Sequence, residues 1–155
     1  MKHLKIGDKA PAINAIDQDG NKLSLEEYKG KKAILFFYPK ANTPGCTAES
    51  CNLRDNYEIL LEKGFAVIGV SADNEKRQKG FKEKHGLPYQ LIPDTDKKVL
   101  NDYGVWGLKK FMGREYDGIH RMTFVISEDG IIEKIFEKVK TKDHAAQILG
   151  EYPEV

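Results

Sequence analysis

The sequence predicts an α/β domain in which a central mixed sheet is flanked by helices and preceded by an N-terminal β-hairpin. Three observations carry that expectation. Two continuous apolar runs, residues 31–39 and 64–73, look like strands covered on both faces, and a helical pattern fills the interval between them. Further on, two alternating stretches meet at Ser127-Glu128-Asp129-Gly130, as the arms of a hairpin do. With 155 residues, 40% of them hydrophobic, the chain can bury a core as one domain spanning 1–155.

The elements follow in order. "APAINAIDQDGNKLSL" holds two short extended stretches around the Asp17–Gly20 turn, the N-terminal hairpin. "KKAILFFYP" is the first buried strand and ends at Pro39. "GFAVIGVSAD" is the second. Between them one helix is expected, with Thr43 at the N-cap, Pro44 at N1 and Gly64 beyond its end. Strand, helix and strand of these lengths make a right-handed βαβ unit with a parallel pair. Residues 74–85 then form a polar helix stopped by Gly86 and Pro88. "PYQLIPD" is a short extended piece and "DKKVLNDYGV" another helix. "HRMTFVI" and "IIEKIFEKV" are the late hairpin, and "KDHAAQILGEY" is a closing helix. That order is the order of a thioredoxin-type fold with additions.

Charge and leader signals narrow the function. Basic and acidic residues nearly cancel, 25 against 24, so no overall field draws a nucleic acid or an anionic membrane surface. The N-terminus lacks the apolar segment of a signal peptide, and no apolar run approaches membrane-spanning length. A cytoplasmic, reducing location is therefore expected. There, two cysteines five residues apart are redox-active or metal-binding rather than a permanent staple.

Those cysteines lie in "YPKANTPGCTAESC". Cys46 falls at N3 of the expected helix, where unpaired N–H groups and the positive dipole end favour a thiolate. Thr43 can set a hydroxyl near the sulfur while capping the helix, and Pro39 ends the strand and walls the pocket. A metal needs about four ligands. Two thiols and the scattered His3, His85, His120 and His144 do not supply them, so no cofactor is expected. Read on their own residue types, Arg121 is a solvated arginine at a strand end and Glu49 an ordinary exposed helix carboxylate. Trp106 and Phe111 are core aromatics or pocket lining, and His120 is an exposed neighbour of Arg121.

The pattern Pro39-x-x-x-Thr43-x-x-Cys46 resembles that of the peroxiredoxins. Its extension "GCTAESC", with "GDKAP", "VIGVSAD", "YGVWG" and "YDGIHRMTFVI", is similar to the peroxiredoxin Q group, also called bacterioferritin comigratory proteins. The resemblance covers nearly the whole chain. It implies a thiol peroxidase without metal, haem or flavin that reduces hydrogen peroxide and organic hydroperoxides. Cys46 would be the peroxidatic nucleophile and Cys51 the resolving cysteine, joined in an intramolecular disulfide that a dithiol such as thioredoxin reduces. Thr43 would contact thiolate and peroxide, Pro39 would shield the sulfenic acid, and Arg121 would stabilise the developing charge. Glu49, one helical turn from Cys46, would orient Arg121. A monomer or a weak dimer is the expected state. The residues alone leave two other classes open, a protein thiol–disulfide oxidoreductase and a non-catalytic redox sensor or chaperone-like binder. The first lacks a Cys-x-x-Cys motif.

An intact helix sets the two cysteine Cα atoms roughly 8–9 Å apart and on different sides, whereas a disulfide wants them within ~7 Å and facing. The segment from about Thr43 to Leu53 must therefore unwind for the bond to close. Asn52, Asp55 and Asn56 are weak helix formers just beyond Cys51.

Overall fold

The computed structural model describes residues 3–153. Strands β1 (Asn14–Ile16) and β2 (Lys22–Ser24) pair antiparallel as the N-terminal hairpin. The Asp17 carboxylate closes its turn by accepting from the backbone N–H groups of Asp19 and Asn21. Then come β3 (Lys32–Phe37), α1 (Pro44–Asp55), α2 (Tyr57–Glu62), β4 (Phe65–Ser71), α3 (Glu75–His85), β5 (Gln90–Pro93) and α4 (Lys98–Asp102). They are followed by β6 (Trp106–Phe111), β7 (Arg114–Ile119), β8 (Met122–Ile126), β9 (Ile132–Phe136) and α5 (His144–Leu149). Among these described residues, no helix is long and apolar enough to cross a membrane.

Strands β5, β4 and β3 run parallel, and β8 and β9 complete the sheet antiparallel, in the order β5-β4-β3-β8-β9. This is the expected mixed sheet of a thioredoxin-like fold. Because β3 is central, its alternate side chains feed two cores. Leu35 and Phe37 pack with Ile68, Val70, Ile92 and Phe124 on one face. Ile34, Phe36 and Tyr38 pack with Leu53, Leu60, Phe81, Val125 and Ile148 on the other. Each fully buried side chain of this size contributes about 1.5–3 kcal/mol, so the continuous apolar run of β3 fixes the middle of the molecule. The register Phe37↔Met122 then sets the residue before β8, Arg121, beside the end of β3 from which the chain enters α1.

Two features depart from the sequence-based expectations. The helix between β3 and β4 is not continuous: it breaks at Asn56 (φ −108°, ψ 12°) into α1 and α2. The Asn56 side-chain amide donates to the Asn52 carbonyl at 2.8 Å, sharing that acceptor with the Asn56 backbone N–H at 3.3 Å. The second departure is an unexpected antiparallel ribbon, β6 with β7, turning at Met112-Gly113 with φ of 51° and 79°. Its outer residues Leu108, Phe111, Met112 and Tyr116 are exposed.

Candidate active site

Cys46 occupies the first turn of α1 at N3, as expected, and is buried to 1% exposure. Thr43 is the residue flanking the helix, but it makes no side-chain cap. Its hydroxyl donates instead to the Lys40 carbonyl at 2.7 Å, which draws it back along the loop. That loop, 38–43, is held from outside. Asp73, just past β4, accepts from Ala41 N at 2.8 Å and from the Ser71 hydroxyl at 2.6 Å through Oδ2. Its other oxygen accepts from Arg77 Nε at 3.1 Å. The anchor lets Asn42 sit at φ 65° between fixed neighbours. Pro39 is half-buried at the start of this loop.

Arg121 reaches across to the helix. Its Nη2 donates to Cys46 Sγ at 3.4 Å, and its Nη1 donates to Glu49 Oε1 at 2.6 Å. Gly45 makes room for it, since a Cβ there would lie 3.2 Å from Nη2. The guanidinium thus spans the one turn between Cys46 and Glu49, a fork that lysine's single ammonium could not reproduce. Glu49 is not the exposed carboxylate that its residue type suggests: it is fully buried. Burial pushes its carboxyl up to about 7 although Arg121 pulls the other way.

Behind Glu49 stands His144, at the start of α5 and also fully buried. Its Nε2 lies 2.8 Å from the Thr123 hydroxyl and 3.8 Å from Glu49 Oε2. Lys109 of β6 is a second cation near the sulfur. Its Nζ donates to the Ile119 carbonyl, and burial together with Arg121 holds its pKa below the usual lysine range. Sequence reasoning missed Asp73, Lys109, Thr123 and His144. Arg121 and Glu49 gained roles in it only through the family pattern.

Cys51 follows on the same helix, half-buried, and both thiols are free. The intervening turn and the one after it are pinned to the rest of the protein. Tyr89 donates to the Ser50 carbonyl at 2.6 Å, and Arg54 Nη1 to the His85 carbonyl at 2.7 Å. Asn52 Oδ1 accepts from Ala145 N of α5 at 2.8 Å. Two atoms of this turn, Glu49 Oε2 and Ser50 Oγ, are buried without a hydrogen-bond partner. Trp106 is half-buried against the core with Lys97 Nζ 5.0 Å above its ring, and Phe111 lies exposed near the ribbon tip. Neither lines the cleft of about 410 Å³ beside Arg121, whose walls include Tyr103, Lys109, His120, Met122 and Phe124.

The model of the AhpC/TSA family matches residues 6–135. The chain belongs to the AhpC/TSA family. It is 45% identical over 150 residues to peroxiredoxin Bcp of Escherichia coli, covering 97% of this chain and 96% of that one. Among solved structures, a cysteine-to-serine variant of PrxQ from Xylella fastidiosa superposes with a TM-score of 0.91 at 27% identity, over 99% of this chain and 98% of that one. The bacterioferritin comigratory protein of Xanthomonas campestris, whose trapped intermediate and ligand complexes bear on alkyl peroxide reduction, matches with a TM-score of 0.84 at 28% identity. It covers 91% of this chain and 90% of that one. As an AhpC/TSA member with such relatives, the chain is a peroxiredoxin, a thiol-dependent peroxidase.

Proposed function

We propose that this peroxiredoxin reduces hydrogen peroxide and small organic hydroperoxides, with Cys46 as the peroxidatic cysteine and Cys51 as the resolving one. The observation that carries the assignment is the Arg121 Nη2 to Cys46 Sγ contact at 3.4 Å in the first turn of α1. A permanent cation there favours the sulfur anion and the charge that builds on the departing oxygen. The Cys46 thiolate attacks one peroxide oxygen and the O–O bond breaks. The other oxygen takes a proton and leaves as water or alcohol, and the sulfur becomes a sulfenic acid. Pro39 and Thr43 belong to the loop that Asp73 holds, and in this reading they shield the sulfenic acid and contact the peroxide. The Cys51 thiol then displaces water from the sulfenic acid to form the disulfide. An external dithiol, thioredoxin or a similar protein, reduces it and is itself oxidised.

The disulfide requires α1 to unwind. Besides the Arg121 contacts, four non-local hydrogen bonds oppose this, each about 0.5–1.5 kcal/mol, as does the burial of Leu53 at about 1.5–3 kcal/mol. The two unpartnered atoms, Glu49 Oε2 and Ser50 Oγ, favour it by about 1–3 kcal/mol each once water reaches them. The opposing terms are the larger, so the helix holds in the reduced form, and the two unpartnered atoms lower the cost of opening it. In this reading the cycle is contained in a single domain, and the enzyme works in the cytoplasm as a monomer or a weak dimer.

Peroxide consumption measured with thioredoxin and its reductase tests the assignment, beside insulin reduction and client-aggregation assays. Steady consumption of peroxide is expected. Insulin reduction without peroxide turnover would make the chain a disulfide oxidoreductase, and protection of clients alone a chaperone-like binder.

A further inference from the structure

The loop that enters α1 is tied to β4 and α3 by hydrogen bonds whose hydrogens each have one place to go. Gln78, fully buried on α3, donates from Nε2 to the Ile92 carbonyl at 3.0 Å and to Ser71 Oγ at 2.9 Å. Its Oε1 is therefore the acceptor for the buried Tyr38 hydroxyl. Ser71 Oγ also accepts from Asp73 N at 3.2 Å, and its own hydrogen goes to Asp73 Oδ2 at 2.6 Å. The same Oδ2 accepts from Ala41 N at 2.8 Å. Tyr38 and Ala41 both belong to the loop, so the bonds leave it and return to it as a ring. Every group in the ring is satisfied, the condition under which a buried polar network fixes one arrangement. None of these groups lies on α1, the helix that carries both cysteines.

We propose that Asp73 is a positioning residue for the oxidation of Cys46: by locking the peptide between Lys40 and Ala41 it holds the 38–43 loop in one shape, both while α1 is wound and after it unwinds. The inference rests on the reading of Cys46 as the peroxidatic cysteine and of α1 as the element that opens. The effect of Asp73 passes through a single planar peptide unit. On one edge, the Ala41 N–H is held by Asp73 Oδ2. On the other, the Lys40 carbonyl accepts from the Thr43 hydroxyl at 2.7 Å. Rotating that peptide would break both bonds and release Thr43. With its hydrogen committed to Lys40, the Thr43 hydroxyl keeps only its lone pairs for an incoming peroxide O–H. The lock is needed because Asn42, next along the chain, sits at φ 65°, a conformation that non-glycine residues adopt only where neighbours hold it. Asp73 is itself fixed, its side chain 7% exposed and its Oδ1 accepting from Arg77 Nε at 3.1 Å. The loop joins α1 through the Thr47 N–H to Thr43 carbonyl bond, which unwinding removes while leaving the ring intact.

Asp73→Asn keeps an oxygen for Ala41 N and the Ser71 hydroxyl and turns its amide nitrogen toward Arg77, which is exposed enough to swing away. Asp73→Ala keeps no acceptor. Stopped-flow oxidation by hydrogen peroxide, in a Cys51→Ser background, is expected to stay within about threefold of the parent in Asp73→Asn and to fall at least about tenfold in Asp73→Ala. Alkylation of Cys46 by iodoacetamide, which needs the thiolate but not the peroxide contacts, should stay within about threefold in both. A fold merely loosened by the substitution would change the two reactions together. Equal peroxide rates in the two variants, or alkylation that follows the peroxide rate, would overturn the proposal. Hydrogen exchange reads the lock without a variant. The Ala41 amide should be protected in the reduced wild-type enzyme and stay protected in the disulfide form made with diamide, while residues 45–53 lose protection. An unprotected Ala41 in either form would overturn it. If the wild-type enzyme failed to react with peroxide, the functional assignment would fall while the exchange of Ala41 still decided the lock.

Discussion

Asn52 of α1 caps the start of α5: its Oδ1 accepts from Ala145 N at 2.8 Å, and its Nδ2 donates to the Lys142 carbonyl at 3.1 Å. The helix that carries both cysteines therefore also holds the helix that carries His144. If α1 unwinds as proposed, α5 loses its anchor. Hydrogen exchange on the reduced and disulfide forms should show residues 45–53 losing protection together with the first turn of α5, while strands 32–37 and 65–71 keep theirs. Equal protection of α1 in both forms would refute the unwinding.

The two cysteines are separable by stoichiometry. Cys46→Ser should abolish peroxide reduction. Cys51→Ser should consume about one equivalent and stop, because the sulfenic acid forms but has no internal partner. Steady turnover by the Cys46 variant would remove it from the nucleophile position.

On the proposed assignment, Arg121 is expected to act on the reaction more than on the fold. It is partly exposed and bridges Sγ and Oε1 of the same helix turn. Arg121→Gln should slow Cys46 oxidation by at least about tenfold while changing stability by no more than about 1–2 kcal/mol. Arg121→Lys should recover only part of the rate, since one ammonium cannot fork between sulfur and carboxyl. Stopped-flow oxidation and denaturant titration give the two quantities; an oxidation rate within about twofold of wild type would reduce Arg121 to a surface residue.

The Glu49–His144 pair has a pH signature with a definite sign. Glu49 in the fold, at about 7 against an ordinary 4.5, binds a proton that the unfolded chain has released. Its stabilising contribution is complete below pH 4.5 and is lost as pH rises to about 7. His144, at about 4 against 6.5, refuses a proton that the unfolded chain binds. Its contribution is complete above pH 6.5 and is lost as pH falls to about 4. Between pH 4.5 and 6.5 the slopes oppose, because the pair holds one proton in either state. Measured against the double variant, Glu49→Gln should gain stability with rising pH in that window and His144→Phe should lose it, each by up to about 1.4 kcal/mol per pH unit. Parallel profiles would mean that the two groups titrate independently of burial.

The β3–α1–β4 unit was legible because continuous apolar runs bounded by Pro39 and Gly64 have few other uses. The ribbon of β6 and β7 was not. Leu108-Lys109-Lys110-Phe111 carries no burial pattern, since its outer residues face solvent, and Met112-Gly113 is an unusual pair for its turn. The helix break at Asn56 is a departure of one residue's backbone within a stretch whose composition still permits helix. At the site, Cys46 could be suspected from its place in the first turn, but Arg121 acquires its meaning only through the register of β8 against β3, 75 residues away from Cys46 in sequence. His144 stood in a polar-looking closing helix. Its burial depends on Thr123, Gln147 and Glu49 from separate parts of the chain, which no local pattern encodes.

Helices melt cooperatively, so a continuous helix from Pro44 to Glu62 would tend to be lost or kept as a unit. Losing all of it would release Leu60 from the core beneath β4. The interruption at Asn56 works as a firebreak. In the proposed cycle, unravelling that starts at Cys46 would run through α1 and stop there, leaving α2 packed as the foundation on which the first helix rewinds.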